Sequence, residues 1–444
     1  MRYRSFVSGV ALTVVLACNV LVEPHREVLE KLNPSIVRVV RIDRLGGTGQ
    51  IISGGYVLTN AHVVWPFSEA SVEFTDGRTI RGVPVIYHDL ITDIAVLGPL
   101  RSPEYPIELA NAAGEIGNQV NAIGYRETDK RPSAAGGNII GVQRWDEVGI
   151  TYYEADVRVQ LGFSGGALTD ESGDVVGLLG WTFEVAEGDN LKKIAVAADA
   201  TNVLDRVELI IAGEDVAGLG ARPTRSTDWA DRFEFELDGR GDIEVFEFVG
   251  DASDTLDIEL ETTEPIRYSV VTASGQSLVD RVYLVGRTAA PKAKIVSTGI
   301  VYIVTENLLD AENQVTIKSS APVGRIVDPD DNRELVPGRM LSGALDHSKD
   351  IDRYLVSLLE GQSVKINVRA LVSAPGLEIT SPIRGTRLLN TGYPALKTVI
   401  TDTDSLLLKA GVDGTYVVTV YDTRPQPFLG YILTTEFVSD DSKR

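Results

Sequence analysis

Cysteine and basic charge are both scarce in this chain. One Cys in 444 residues cannot close an intramolecular disulfide or supply a cysteine zinc site. Domains of 100 or more residues bury enough apolar surface without covalent staples, so the missing cysteines leave the compartment open. Lys and Arg number 42 against 63 Asp and Glu, a net charge of −21. Nucleic-acid binding needs a basic footprint, which excludes nucleic acid as a partner. The same charge favours solubility and repels anionic lipid surfaces. Hydrophobic residues at 43% and charged residues at 24% are ordinary for folded protein. The 42 Gly and 19 Pro are dispersed, which fits tight turns between strands and excludes a collagen-like or disordered chain. At roughly 150 residues per domain the length corresponds to about three domains.

The N-terminus is more informative about compartment. Arg2 and Arg4 precede an uncharged apolar run from Phe6 to Ala17, the layout of a secretory signal over residues 1–22. Val15-Leu16-Ala17-Cys18 resembles the lipobox of bacterial lipoprotein signals, which assigns lipidation to Cys18 and a lipid anchor to the membrane. An ordinary cleaved signal and an uncleaved anchor helix are the alternatives, although the apolar stretch of about 17 residues is at the lower limit for a span. All three readings export the rest of the chain, to the periplasm or the cell surface.

Residues 35–200 are dominated by short runs rich in Val, Ile and Tyr, separated by Gly, Asp, Asn and Pro. Examples are Ile36–Ile42, Tyr56–Thr59, Ile94–Leu97, Val120–Gly124 and Ile150–Tyr153. Such spacing predicts an all-β barrel or sandwich. One helix is expected from Thr201 to Ile211, with Val203, Val207 and Ile210 on one face. Residues 214–228 and 321–337 read as linkers. Two segments, 229–320 and 338–440, repeat: Asp242-Ile243-Glu244-Val245-Phe246 matches Asp350-Ile351-Asp352-Arg353-Tyr354, and Leu256–Leu260 matches Val364–Val368 at the same spacing. Each segment later carries a Gly followed by a Tyr-centred strand, Gly299 to Val304 and Gly414 to Val418. A shared spacing over separate blocks indicates duplication, and strands alone predict two β-sandwiches.

Three motifs carry chemistry. Thr59-Asn60-Ala61-His62-Val63-Val64 puts His62 just after a strand. Thr92-Asp93-Ile94-Ala95-Val96-Leu97 puts Asp93 at a strand edge. Gly162-Phe163-Ser164-Gly165-Gly166 surrounds Ser164 with glycine. Taken singly, the His reads as structural, the Asp as a cap and the last motif as a Gly-rich turn. A nucleophilic Ser, however, needs an exposed hydroxyl and backbone N–H groups aimed at a developing oxyanion. Gly162 lets the backbone turn its N–H inward, and Gly165 and Gly166 let strands approach. His, Asp, Ser is one of the chain orders of the catalytic triad.

These motifs resemble the trypsin-like serine proteases, closest to the bacterial HtrA-like branch, over about residues 30–212. The resemblance implies a two-barrel domain (residues 23–213) with the site in the cleft between barrels, and no cofactor or metal. It implies Ser164 as nucleophile, His62 as general base and acid, Asp93 as its orienting carboxylate, and the N–H groups of Gly162 and Ser164 as oxyanion hole. The substrate class is protein or peptide. Phe163 and Ala167 depart from the family's usual polar residue and Pro, and Phe163 is expected to crowd the leaving-group side. In this family the specificity pocket is lined by the equivalents of Arg158–Gln160 and Ala195–Ala200. Small walls favour an apolar or short side chain. Arg158 facing inward would favour an acidic one, and the plainer reading turns it outward. His25, His88 and His347 have no comparable context.

The two C-terminal repeats resemble the bacterial pre-peptidase C-terminal domain. No PDZ-like module is apparent, since Gly218-Leu219-Gly220 alone does not make one. Asp346, Asp350 and Asp352 are read as a solvated strand edge, with calcium binding as the alternative. The composition of 214–228 predicts a protease segment that folds and works autonomously. The reading is therefore an all-β, exported, lipid-anchored serine endopeptidase. Its rival is an envelope binding or adhesion protein whose protease-like domain is inactive.

Overall fold

A computed structural model describes residues 25–438, except 102–105, 108, 110–112, 128, 188–189, 214–228, 239–241, 310, 327–330, 346–349, 372–374, 383–386, 391–399, 403–404 and 422–428. The signal segment with Cys18, the 214–228 linker, Asp346 and His347 lie outside the described residues.

The β-branched runs close into two antiparallel six-stranded barrels. In the first, the spatial order is Ile36–Val40, Gly46–Ile52, Tyr56–Thr59, Ile94–Leu97, Thr79–Asp89 and Glu69–Glu73. In the second it is Ala167–Thr169, Val175–Glu187, Asn190–Asp199, Ile150–Ala155, Ser133–Trp145 and Gln119–Gly124. Closure removes free strand edges, and alternate residues fill each interior. Val37, Val39, Ile51, Val57 and Val72 fill the first. Ala122, Ile139, Tyr153, Leu168 and Ala197 fill the second. Each large aliphatic side chain so buried contributes roughly 1.5–3 kcal/mol.

Two helices frame the barrels. The sequence reading did not anticipate His25–Leu32, whose Val28 and Leu32 pack against Ile123, Tyr125 and Ala167. The expected helix spans Ala200–Ala212, and Val203 and Val207 are buried. Asp199 caps it by accepting from the amides of Thr201 (2.9 Å) and Asn202 (3.1 Å). Such a cap contributes about 0.5–2 kcal/mol.

The C-terminal units differ in how they enclose their cores. The first has a six-stranded sheet in the order Trp229–Leu237, Asn313–Ile326, Ile243–Gly250, Gly299–Asn307, Ile258–Thr272 and Ser277–Ala289, and a small pair of Thr255–Leu256 with Ala293–Lys294. Asn313–Ile326 also pairs with Ile258–Thr272, so the sheet rolls onto itself around Phe246, Tyr268, Ile303 and Ile317. Bulges along Ile258–Thr272 allow the bend. The second unit has two five-stranded sheets. One carries Ile351–Leu358, Gly414–Tyr421 and Gly376–Thr380, and the other Met340–Leu345, Leu429–Phe437 and Ser363–Leu371. In both units the repeated Asp-Ile block pairs antiparallel with the Tyr-centred strand.

Three expectations change. Asn313–Ile326 is one continuous strand, so the first unit runs past the boundary drawn at residue 320. Asp350 and Asp352 are buried rather than on a solvated edge. Asp352 points inward by strand alternation and accepts from the Tyr431 hydroxyl, which in turn bonds that of Tyr354 at 2.7 Å. Finally, the barrels do not stand apart from the C-terminal units. Leu371 and Ile432 of the second unit share a buried cluster with Ile91, Trp145 and Val148. Ala344 packs with Ala61, Trp65 and Leu90, and Phe67 packs among Val245, Val271 and Tyr302 of the first unit.

Candidate active site

The first barrel supplies two of the three candidate residues. His62 lies in the helical turn Ala61–Val64, directly after the strand Tyr56–Thr59. Asp93 ends the turn that leads into Ile94–Leu97. Its carboxylate accepts twice from His62, at Oδ2 from Nδ1 (2.8 Å) and at Oδ1 from the backbone N–H (3.0 Å). Asp93 is buried, whereas the His62 side chain remains 21% exposed.

Asp93 has φ +59°, the left-handed region, which costs a side-chain-bearing residue roughly 1–2 kcal/mol. Its surroundings hold it there. Asn60 Nδ2 donates to the Asp93 carbonyl at 2.9 Å. Asp89, fully buried, accepts from the Ile91 amide (2.9 Å), the Thr92 hydroxyl (2.6 Å) and Arg206 Nη1 (2.9 Å). Burial pushes the Asp89 carboxyl above its usual range, opposed chiefly by the Arg206 charge. Tyr152 lies alongside, and burial, reinforced by the charges of Asp89 and Asp93, holds its phenol well above the usual value.

Ser164 comes from the second barrel. Thr48 ties its loop to the first: its amide donates to the Ser164 carbonyl (2.8 Å) and its hydroxyl to the Gly162 carbonyl (2.7 Å). The approach leaves no room for side chains. A Cβ on Gly165 would fall 1.9 Å from the Thr48 carbonyl oxygen, and one on Gly162, at φ +98°, would meet the Tyr125 carbonyl oxygen at 2.7 Å. Among the described residues, nothing accepts from the N–H groups of Gly162 and Ser164. Two adjacent free donors beside a serine are what an oxyanion requires.

The strand Val175–Glu187 draws the three residues together. The Ser164 hydroxyl donates to the Gly180 carbonyl at 2.9 Å. The side-chain direction of Gly180 points to within 3.5 Å of Asp93 Oδ2. The next residue, Trp181, lays its ring 4.5 Å from that of His62. Gly180 and Trp181 sit in a bulge between Leu179 and Thr182, and bulges re-aim side chains beside active sites. Thr48, Asn60, Gly180 and Trp181 were not picked out from the sequence. Asn60 had a signal, its place inside the motif that carries His62, whereas a bulge leaves none.

Phe163 does not crowd the site. It is buried with Val157, Val159, Ala195 and Ala197 in the second barrel, so its ring anchors the loop from behind. Of the expected specificity wall, Arg158 and Gln160 are exposed, whereas Ala195 and Ala197 belong to that core. Arg158 thus takes the outward reading. His88 packs against Trp65 with ring centroids 4.9 Å apart and planes tilted by 45°, a structural contact.

Residues 47–178 match the family model of the trypsin-like peptidase domain. A probable periplasmic serine endoprotease DegP-like of Halomonas elongata is 31% identical over 166 residues, 36% of this chain and 35% of the relative. The serine endoprotease DegS of Haemophilus influenzae is 31% identical over 184 residues, 38% of this chain and 52% of the relative. The chain thus spans about a third to a half of these relatives' lengths. Among solved structures, a serine endoprotease from Yersinia pestis aligns with a TM-score of 0.37 at 26% identity, covering 46% of this chain and 72% of the other.

Proposed function

We propose that the chain is an exported serine endopeptidase working through Ser164, His62 and Asp93. The observation that carries the reading is the doubly bonded His62–Asp93 pair beside a serine flanked by two free N–H donors. Asp93 accepts from Nδ1, which fixes the tautomer and leaves Nε2 as the base. Turning about its Cα–Cβ bond, the Ser164 hydroxyl leaves the Gly180 carbonyl for Nε2, gives up its proton and attacks the scissile carbonyl. The oxyanion is stabilised by the N–H groups of Gly162 and Ser164. Collapse of the adduct breaks the C–N bond, the amine leaves with the proton from His62, and an acyl-Ser164 ester remains. Water, deprotonated by His62, then hydrolyses the ester.

The Arg2, Arg4 and Phe6–Ala17 pattern supports export, as does likeness to a probable periplasmic serine endoprotease. Lipidation of Cys18 and likeness of the C-terminal units to pre-peptidase C-terminal domains belong to the same proposal. Ser164→Ala should lower kcat on a peptide substrate by about 10⁴–10⁶-fold with the fold intact. Full hydrolysis by that variant would refute the assignment. No hydrolysis by folded wild type would favour the rival, a binding protein with an inactive protease-like domain.

A further inference from the structure

The turn bearing Asp93 is supported from within the barrels by Asp89, but its outer surface is covered by the second C-terminal unit. Strand Leu429–Phe437 runs against it so closely that a Cβ on Gly430 would lie 2.4 Å from the Ile91 amide nitrogen and 2.4 Å from the Leu90 carbonyl carbon. Backbone therefore touches backbone two residues before Asp93. Two residues along the same strand, Ile432 is fully buried in one cluster with Ile91 and Leu371. Ala344, from the neighbouring strand, packs on Leu90, Trp65 and Ala61, the residue before His62. Arg369 of this unit also pairs with Glu147 of the second barrel. One face of the unit thus contacts the segments of both His62 and Asp93.

We propose that the second C-terminal unit is a working part of the catalytic apparatus, in which Gly430, Ile432 and Ala344 are positioning residues that set the Leu90–Asp93 turn and through it the His62–Asp93 pair. The proposal rests on the peptidase reading of the site. The physical reason is the conformation of Asp93. A left-handed residue relaxes when the chain around it is free to move. Here the internal hydrogen bonds fix one side of the turn, and the sandwich strand blocks the other. Peptidase activity is then conditional on docking of the unit, which makes that contact the place where a partner of the sandwich could raise or lower activity.

The test is Gly430→Ala in the full-length chain. Its Cβ needs about 1 Å more room than the 2.4 Å available, because ordinary contact begins at 3.4 Å. A misplacement of that size costs on the order of 100-fold in kcat. The expected result is that loss with KM changed by less than about threefold, since the substrate cleft is untouched. The low-field proton resonance of His62 Nδ1–H, recorded on resting enzyme, should shift or broaden with it. Gly376→Ala is the control, because its Cβ would crowd Tyr421 at 2.7 Å inside the same unit; its kcat and resonance should stay at wild type. Should Gly430→Ala fail to fold, Ile432→Ala removes the same contact by truncation and should lower kcat by roughly tenfold. Unchanged kcat and resonance in the folded interface variant, or an equal loss in Gly376→Ala, would overturn the proposal. If wild type hydrolyses no peptide, the peptidase reading fails by itself, and the resonance alone still decides whether the sandwich positions the pair.

Discussion

Replacing Arg206 by Met removes the one charged partner that the Asp89 carboxylate has among the described residues. Asp89 is 0% exposed, with Arg206 Nη1 at 2.9 Å. Breaking a buried pair on one side costs about 3–5 kcal/mol, because the remaining charge is uncompensated. The lost bond from Arg206 to the Val148 carbonyl accounts for about 1 kcal/mol of a kind that does not titrate. Burial already raises the Asp89 carboxyl, and Arg206 opposes the rise, so the variant's value lies higher still. A carboxyl raised in the fold binds its proton there before it does in the unfolded chain. Its penalty is therefore present above the folded value and relieved as pH falls through it. Arg206→Met should be about 3–5 kcal/mol less stable than wild type at neutral pH, narrowing toward about 1 kcal/mol in acid. Urea unfolding at a series of pH values gives both figures. Tryptophan emission is a suitable probe, since Trp65, Trp145 and Trp181 lie in or beside the barrels. A gap below about 1 kcal/mol at neutral pH, or one that ignores pH, would refute the reasoning.

Two further outcomes follow from the proposed chemistry and anchor. Asp93→Asn retains a residue that tolerates the left-handed backbone but presents the wrong hydrogen-bonding group to His62, so kcat should fall by about 10⁴-fold with melting temperature nearly unchanged; steady-state kinetics and calorimetry check the two halves. A diacylated Cys18 should hold the protein on membranes until detergent is added, because two chains anchor stably where one does not. Cys18→Ser should abolish that, and an intact mass showing an unmodified mature N-terminus would contradict it.

The barrels and the site were legible to different depths. Strands announced themselves because runs rich in Val, Ile and Tyr end at turn residues, and the final helix because Val203 and Val207 recur at helical spacing. The three motifs could be joined because each lies in a short block whose local structure is self-contained. The duplication was visible because both copies retain the same strand pairing. What did not show was contact between distant surfaces. Ile432 and Leu371 look like any apolar strand residues, and Gly430 like a strand end, yet all three face the Asp93 turn. Asp352 looked like a surface acid because its inward partner, the Tyr431 hydroxyl, is 79 residues away. Phe163 was misjudged because its side chain turns away from the cleft into the barrel, where part of its company, Ala195 and Ala197, comes from a strand about 30 residues further on.

The most direct test of the central claim is a fluorophosphonate probe applied to the folded full-length protein, with the adduct located by peptide mass. Such probes phosphonylate a serine, with loss of fluoride, only when a neighbouring base activates the hydroxyl. One adduct on Ser164, absent in His62→Ala, is the predicted result. A folded protein that takes no adduct, or takes it elsewhere with Ser164 unmodified, would contradict the account.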